Sequence, residues 1–109
     1  MSNLLHFDGR LADAPQRGDG ENAPAKFRLI RNEHAGTDSA GNAKERTVGI
    51  PFTAFGAKGR TIAQHARKGD QLIVTARVEN NRFTDGQGIE RFDYNFVVED
   101  FDFGAPGEQ

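Results

Sequence analysis

"RTVGIPFTAFGAKGRTIAQHARKGDQLIVTARV", residues 46–78, changes its apolar period twice, and those changes decide the fold. From Arg46 to Gly56 the letters alternate. Val48, Ile50, Phe52 and Ala54 share one face, and Gly49, Pro51, Thr53 and Phe55 share the other, which is the two-residue period of a strand. Pro51 has no amide hydrogen, so it belongs at an edge, a bulge or a gap in the ladder. "TIAQHARKG" then predicts a helix over 61–69. Thr61 with Gln64 forms a capping box, Arg67 and Lys68 occupy the last turn, and Gly69 closes it. Alternation resumes in "QLIVTARV", with Leu72, Val74, Ala76 and Val78 against Ile73, Thr75 and Arg77.

Strands extend this pattern in both directions. Upstream, "NLLHFDGRLAD" alternates Leu5, Phe7 and Leu11 with His6, Asp8 and Arg10, and Gly9 marks a bulge in that strand. "APQRGDGENAP" reads as a loop. "AKFRLIRN" is a second strand, with Phe27 and Leu29 on one face and Lys26, Arg28 and Ile30 on the other. "HAGTDSAGNAKE", residues 34–45, has no periodicity and predicts a long mobile connection. Downstream, "TDGQG" turns the chain, and "IERFDYNFVVEDFDF" returns with Phe92, Tyr94, Phe96 and Val98 as a core-facing row. Five strands with one helix between the third and fourth is the layout of the all-β OB-fold, a small Greek-key barrel. Residues 1–103 are expected to form that one domain, with 104–109 a short disordered tail.

Bulk properties narrow the function. A chain of 109 residues suits one core. No apolar run has the length of a membrane span, and the N-terminus lacks the basic region of a secretory signal, so the expected location is the cytoplasm. The absence of cysteine removes thiol nucleophiles, disulfides and cysteine-based zinc sites. His6, His34 and His65 are scattered, and neither serine has an evident base, so no enzyme activity, cofactor or metal is expected. All 14 Lys and Arg, but only 11 of the 16 Asp and Glu, lie in residues 1–91; charge therefore falls from +3 there to −5 over 92–109. A basic working surface followed by an acidic end fits that asymmetry.

Parity locates the working surface. If Leu72, Val74 and Ala76 face inward, Phe83 shares the outward parity of Thr75 and Arg77. Phe55 lies outside with Thr53, as do Lys26 and Arg28 on the second strand. Rings among cations suit single-stranded nucleic acid, because cations track phosphates while exposed bases stack on aromatic rings. The alternative for these rings is packing under a loop or against another subunit.

Residues 51–98 resemble the second half of bacterial and phage single-stranded DNA-binding proteins. The resemblance rests on the order and spacing of Phe55-Gly56, Arg67-Lys68-Gly69, Phe83-Thr84-Asp85, Gly88 and Arg91-Phe92, and "NLLHFDGRLADAP" resembles the family's opening strand. It implies an OB-fold subunit that assembles as a homotetramer or homodimer, the tetramer being favoured. It also implies binding to single-stranded DNA without strong sequence preference in replication, recombination or repair. Phe55 and Phe83 inherit base stacking. Arg77, Arg82 and Arg91, beside those rings, are assigned phosphate contacts, joined by Lys26, Arg28 and Lys58. The chain departs from the family in having no Trp, with Gly49 near one expected place, and in Ala57 after the Phe55-Gly56 pair, with Lys58 one place later. An acidic, Pro-Phe-containing tail tip does not occur here, so recruitment of replication or repair proteins through it is not carried over. Two other functions remain open: an OB-fold interaction module, such as a replication-restart accessory with weak DNA binding, and a single-stranded RNA binder.

Overall fold

A computed structural model describes residues 3–107. The strands are β1 (Leu5–Leu11), β2 (Gln16–Arg17), β3 (Ala25–Thr37), β4 (Ala43–Ala54), β5 (Gln71–Thr84) and β6 (Glu90–Phe103), with helix α1 (Gly56–His65) between β4 and β5. They run in the order β1-β5-β6-β4-β3-β2, and β1 closes the circle by also pairing with β3. One strand can serve two neighbours because it splits its length: Leu5 to Arg10 pair with β5, from Leu5 opposite Ala76 to Arg10 opposite Gln71, while Arg10 and Leu11 also pair with Ile30 and Leu29. The seam between β4 and β6 is parallel, at Thr53 opposite Val97. The five long strands thus form the closed barrel expected from the element order.

The core follows the alternation. Phe7, Leu11, Phe27, Leu29, Phe52, Leu72, Val74, Ala76 and Val98 are buried. The Phe52 ring sits at the centre, 5.7 Å from Phe27, 6.1 Å from Phe7 and 6.2 Å from Phe96 between centroids. Helix α1 adds Ile62 to the same cluster. It lies so close to the sheet that a Cβ on Gly59 would stand 2.3 Å from the Ala54 carbonyl oxygen.

Several expectations are corrected. The helix begins at Gly56, after Phe55, so Thr61 is an interior residue whose hydroxyl donates to the Ala57 carbonyl at 2.9 Å rather than an N-cap. Glycines at 56 and 59 obscure that start, because glycine is a poor helix former. Gly56 supplies the turn into the helix at φ +64°, and Gly59 supplies the close approach. Gly9 marks no bulge: β1 and β5 keep register through it, and it is small because a Cβ there would stand 2.8 Å from the Ile30 carbonyl oxygen. Residues 34–45 are not a long loop. β3 and β4 continue as a hairpin that turns at Asp38, whose carboxylate accepts from the Ala40 and Asn42 amides. The loop after β1 contains the two-residue β2, paired with Lys26 and Ala25. The described tail residues are tethered rather than loose. Gly104 donates to the Gln71 carbonyl, Gln71 donates to the Ala105 carbonyl, and Gly107 donates to the Asp70 carboxylate. Glu108 and Gln109 lie outside the described residues.

Candidate nucleic-acid interface

The outer face of β3 and β4 is built by the complement of the core alternation. With Phe27 and Leu29 turned inward, Lys26 and Arg28 turn out, opposite Thr53 and Pro51 respectively. Pro51 fits this place because β4 pairs with β6 only at Thr53, leaving its other edge without a ladder at Pro51. Gly49 has a further role. The Arg28 guanidinium lies over it, so that a Cβ at position 49 would be 2.6 Å from Arg28 Nη2. A larger residue there would displace the arginine, so a cation occupies this part of the face instead of a ring.

Two adjoining grooves run along this face and share Lys26, Thr53 and Asn95. The first, about 350 Å³, is lined by Asp13, Gln16, Arg28 and Pro51 beside the shared residues. The second, about 180 Å³, adds Phe55, Glu79 and Val97. Phe55 stands at the end of β4, just before α1, with 53% of its surface exposed. Phe83 is 45% exposed and pairs with Arg91 on the β5–β6 hairpin. It shares parity with Glu79, so it continues the same face about 13 Å further along the hairpin. Lys58 is exposed on the first turn of α1 and lines neither groove.

Electrostatically the assigned cations fall into two groups. Among the described residues, Lys26, Arg28 and Lys58 form no ion pair, whereas the three arginines of β5 and β6 are each held by acids. Arg77 donates to Glu79 at 2.7 Å and to Glu99 at 2.6 Å. These hydrogen bonds, Glu79 first, raise its pKa further and fix it as a cation. Arg82 is paired with Glu90, and Arg91 donates to Asp85 at 2.9 Å. Asp85 also accepts from the Gln87 and Ile89 amides, which shapes the turn that Gly88 completes at φ +78°. The Arg91 hydrogen bond, then those amides, hold the Asp85 carboxyl below its usual range. All these pairs are exposed, so each contributes little to folding; a phosphate approaching these arginines competes with carboxylates already bonded to them. Glu79 lies two residues from Arg77 on the same strand face, whereas Glu99, 22 residues away, reaches it only through the β5–β6 pairing.

Tyr94 corrects another expectation. Its row begins in the core, with Val98 buried and Phe96 against Phe52, but Tyr94 itself is 60% exposed because β5 and β6 run on beyond the barrel. The side chain of Phe92 lies outside the described residues.

A closed OB-fold barrel with rings and unpaired cations along one outer face defines the class. Within it, residues 3–104 match the single-strand binding protein family, and the chain belongs to that family. It is 35% identical over 105 residues to a single-stranded DNA-binding protein of Clostridium perfringens, covering 93% of this chain and 65% of that one. It is 28% identical over 98 residues to a mitochondrial single-stranded DNA-binding protein of Xenopus laevis, covering 82% and 66% respectively. The chain therefore spans less than two thirds of the length of these relatives. The fold is also that of the Plasmodium falciparum SSB in complex with ssDNA, at TM-score 0.77 and 17% identity over 94% of this chain and 95% of that one. Among the described residues, no helix is long and apolar enough to cross a membrane.

Proposed function

We propose that this chain binds and protects single-stranded DNA without strong sequence preference during replication, recombination or repair. The observation that carries the proposal is the continuous outer face on which unpaired Lys26 and Arg28 lead to the exposed ring of Phe55. Phosphates follow the cations, and bases stack on Phe55 and then on Phe83, at about 1 to 3 kcal/mol for each stacked base. Arg77, Arg82 and Arg91 join as phosphate contacts once DNA displaces their carboxylates, and Lys58 attracts the strand from beside the track.

The working unit is a homo-oligomer, with a tetramer favoured over a dimer. In support, β1 pairs with β3 only through Arg10 and Leu11, which leaves the edge from Leu5 to Phe7 without a strand partner and open to another copy. The protein acts on DNA of the cytoplasmic nucleoid. The test is a titration with oligo-dT, oligo-rU and duplex DNA at two salt concentrations, with light scattering on the same samples. Oligo-dT should bind far more tightly than duplex and weaken with salt, and the mass should exceed one subunit. Equal affinity for duplex and oligo-dT would overturn the stacking account.

A further inference from the structure

The β5–β6 hairpin carries exposed rings on both faces, because its register places Phe83 opposite Arg91 and Tyr94 opposite Asn80. These pairs are three steps apart, so the rings point to opposite faces about 10 Å apart along the hairpin. Phe83 continues the grooved face. Tyr94 continues the row that begins in the core, yet it has left the core: Phe96 still meets Phe52, while Tyr94 is more exposed than Phe55 or Phe83.

Cross-strand pairing gives no account of so large a ring at this place. Its cross-strand neighbour is the polar Asn80, not the aromatic or β-branched residue that makes a stabilising pair. Among the described residues nothing bonds its hydroxyl; only its backbone amide is engaged, by the Asp93 carboxylate. Among the described residues, the amphipathic ring is therefore open to a ligand over its exposed surface and at its hydroxyl.

The route to it is open. β6 pairs with β4 only at Val97, so its edge from Asn95 toward the tip borders no strand. Asn95 lines both grooves and is the residue next to Tyr94, with its side chain on the opposite face. A strand leaving the grooves at Asn95 need only cross the β6 edge to reach Tyr94. We infer that Tyr94 is a further stacking platform for single-stranded DNA, and that the strand wraps round the β6 edge so that the hairpin is gripped on both faces. This rests on the single-stranded DNA reading above and adds a residue and a path to it. Asn80, directly opposite, is placed to hydrogen-bond a base stacked there, and Arg82, diagonally opposite on the same face, to meet its phosphate.

The chain supplies its own reporter. It has one tyrosine and no tryptophan, so tyrosine emission comes from Tyr94 alone. The experiment follows that emission while unlabelled oligo-dT is added, and follows binding separately by the anisotropy of an end-labelled oligo-dT. Emission should be quenched in proportion to the DNA bound. Tyr94→Ala should weaken binding roughly 5- to 150-fold, while Tyr94→Phe, which keeps the ring, should stay within about twofold. Binding with unchanged emission, or a Tyr94→Ala protein that is folded, correctly assembled and of wild-type affinity, would overturn the platform while leaving single-stranded DNA binding intact. A Tyr94→Ala protein of reduced mass would overturn it too, by making Tyr94 a contact between copies. No anisotropy change at all would overturn the underlying DNA reading, and this inference with it.

Discussion

Replacing Glu79 and Glu99 by glutamine should tighten DNA binding without adding any new contact. Both carboxylates hold the Arg77 guanidinium, at 2.7 and 2.6 Å, and glutamine keeps their size while removing their charge. In the wild type a phosphate must compete with two acids for one cation. In the double variant Arg77 is available, and one added phosphate contact steepens the slope of log affinity against log salt by about 0.7. That slope corresponds to a gain of roughly eightfold at about 50 mM salt, falling to roughly threefold at about 200 mM. Each single variant should fall between. Because the pairs are exposed, melting should stay within about 5 °C of the wild type. The same competition predicts that Arg77→Ala alone changes the wild-type slope by less than about 0.7. Anisotropy of labelled oligo-dT at three salt concentrations, with a melt of each protein, measures all of this. A double variant that melts normally but has wild-type affinity and slope would refute the idea that carboxylates restrain this arginine.

Phe55→Ala and Phe83→Ala should each weaken oligo-dT binding by about 1 to 3 kcal/mol with little change in salt slope, since a ring and no charge is lost; isothermal titration at several salt concentrations checks this. Gly59→Ala should destabilise the fold by about 1 to 3 kcal/mol despite alanine's better helix propensity, because its Cβ meets backbone, and a thermal melt would show the loss. Ending the chain at Phe103 removes the bonds from Gly104, Ala105 and Gly107 to Gln71 and Asp70, so melting should fall while affinity for oligo-dT holds. Asp85 has a depressed pKa in the folded hairpin. Its contribution to the turn is full above the ordinary value of 3.8 and is lost only as pH falls through the lower folded value, so amide signals of Gln87 and Ile89 should persist at pH 5 and shift below that range.

What sequence revealed was what depends on alternation within one strand. Phe52 and Ala54 are buried and Phe55 is exposed, as the two-residue period of β4 required. Phe83 keeps its outward parity because the register shift between β5 and β6 falls on the β6 side, where Thr75 faces Asp100 and Ala76 faces Val98. Alternation does not say where a barrel ends, which is why the row from Phe92 to Val98 reads as core throughout although Tyr94 is exposed. It also cannot see neighbours from distant strands. Gly9 answers to the Ile30 carbonyl, Gly59 to the Ala25 amide nitrogen, and Gly49 to the Arg28 guanidinium. Of the two carboxylates that hold Arg77, Glu79 shares its strand and face, but Glu99 meets it only through the pairing of β5 with β6.

The most direct test of the central claim is an amide chemical-shift map of isotope-labelled protein with saturating oligo-dT. The largest shifts should follow one path through Lys26, Arg28, Thr53, Phe55 and Asn95 to Phe83. Shifts confined instead to the polar depression of Asp8, Arg10 and Arg31, where β1 crosses β3, would contradict the account.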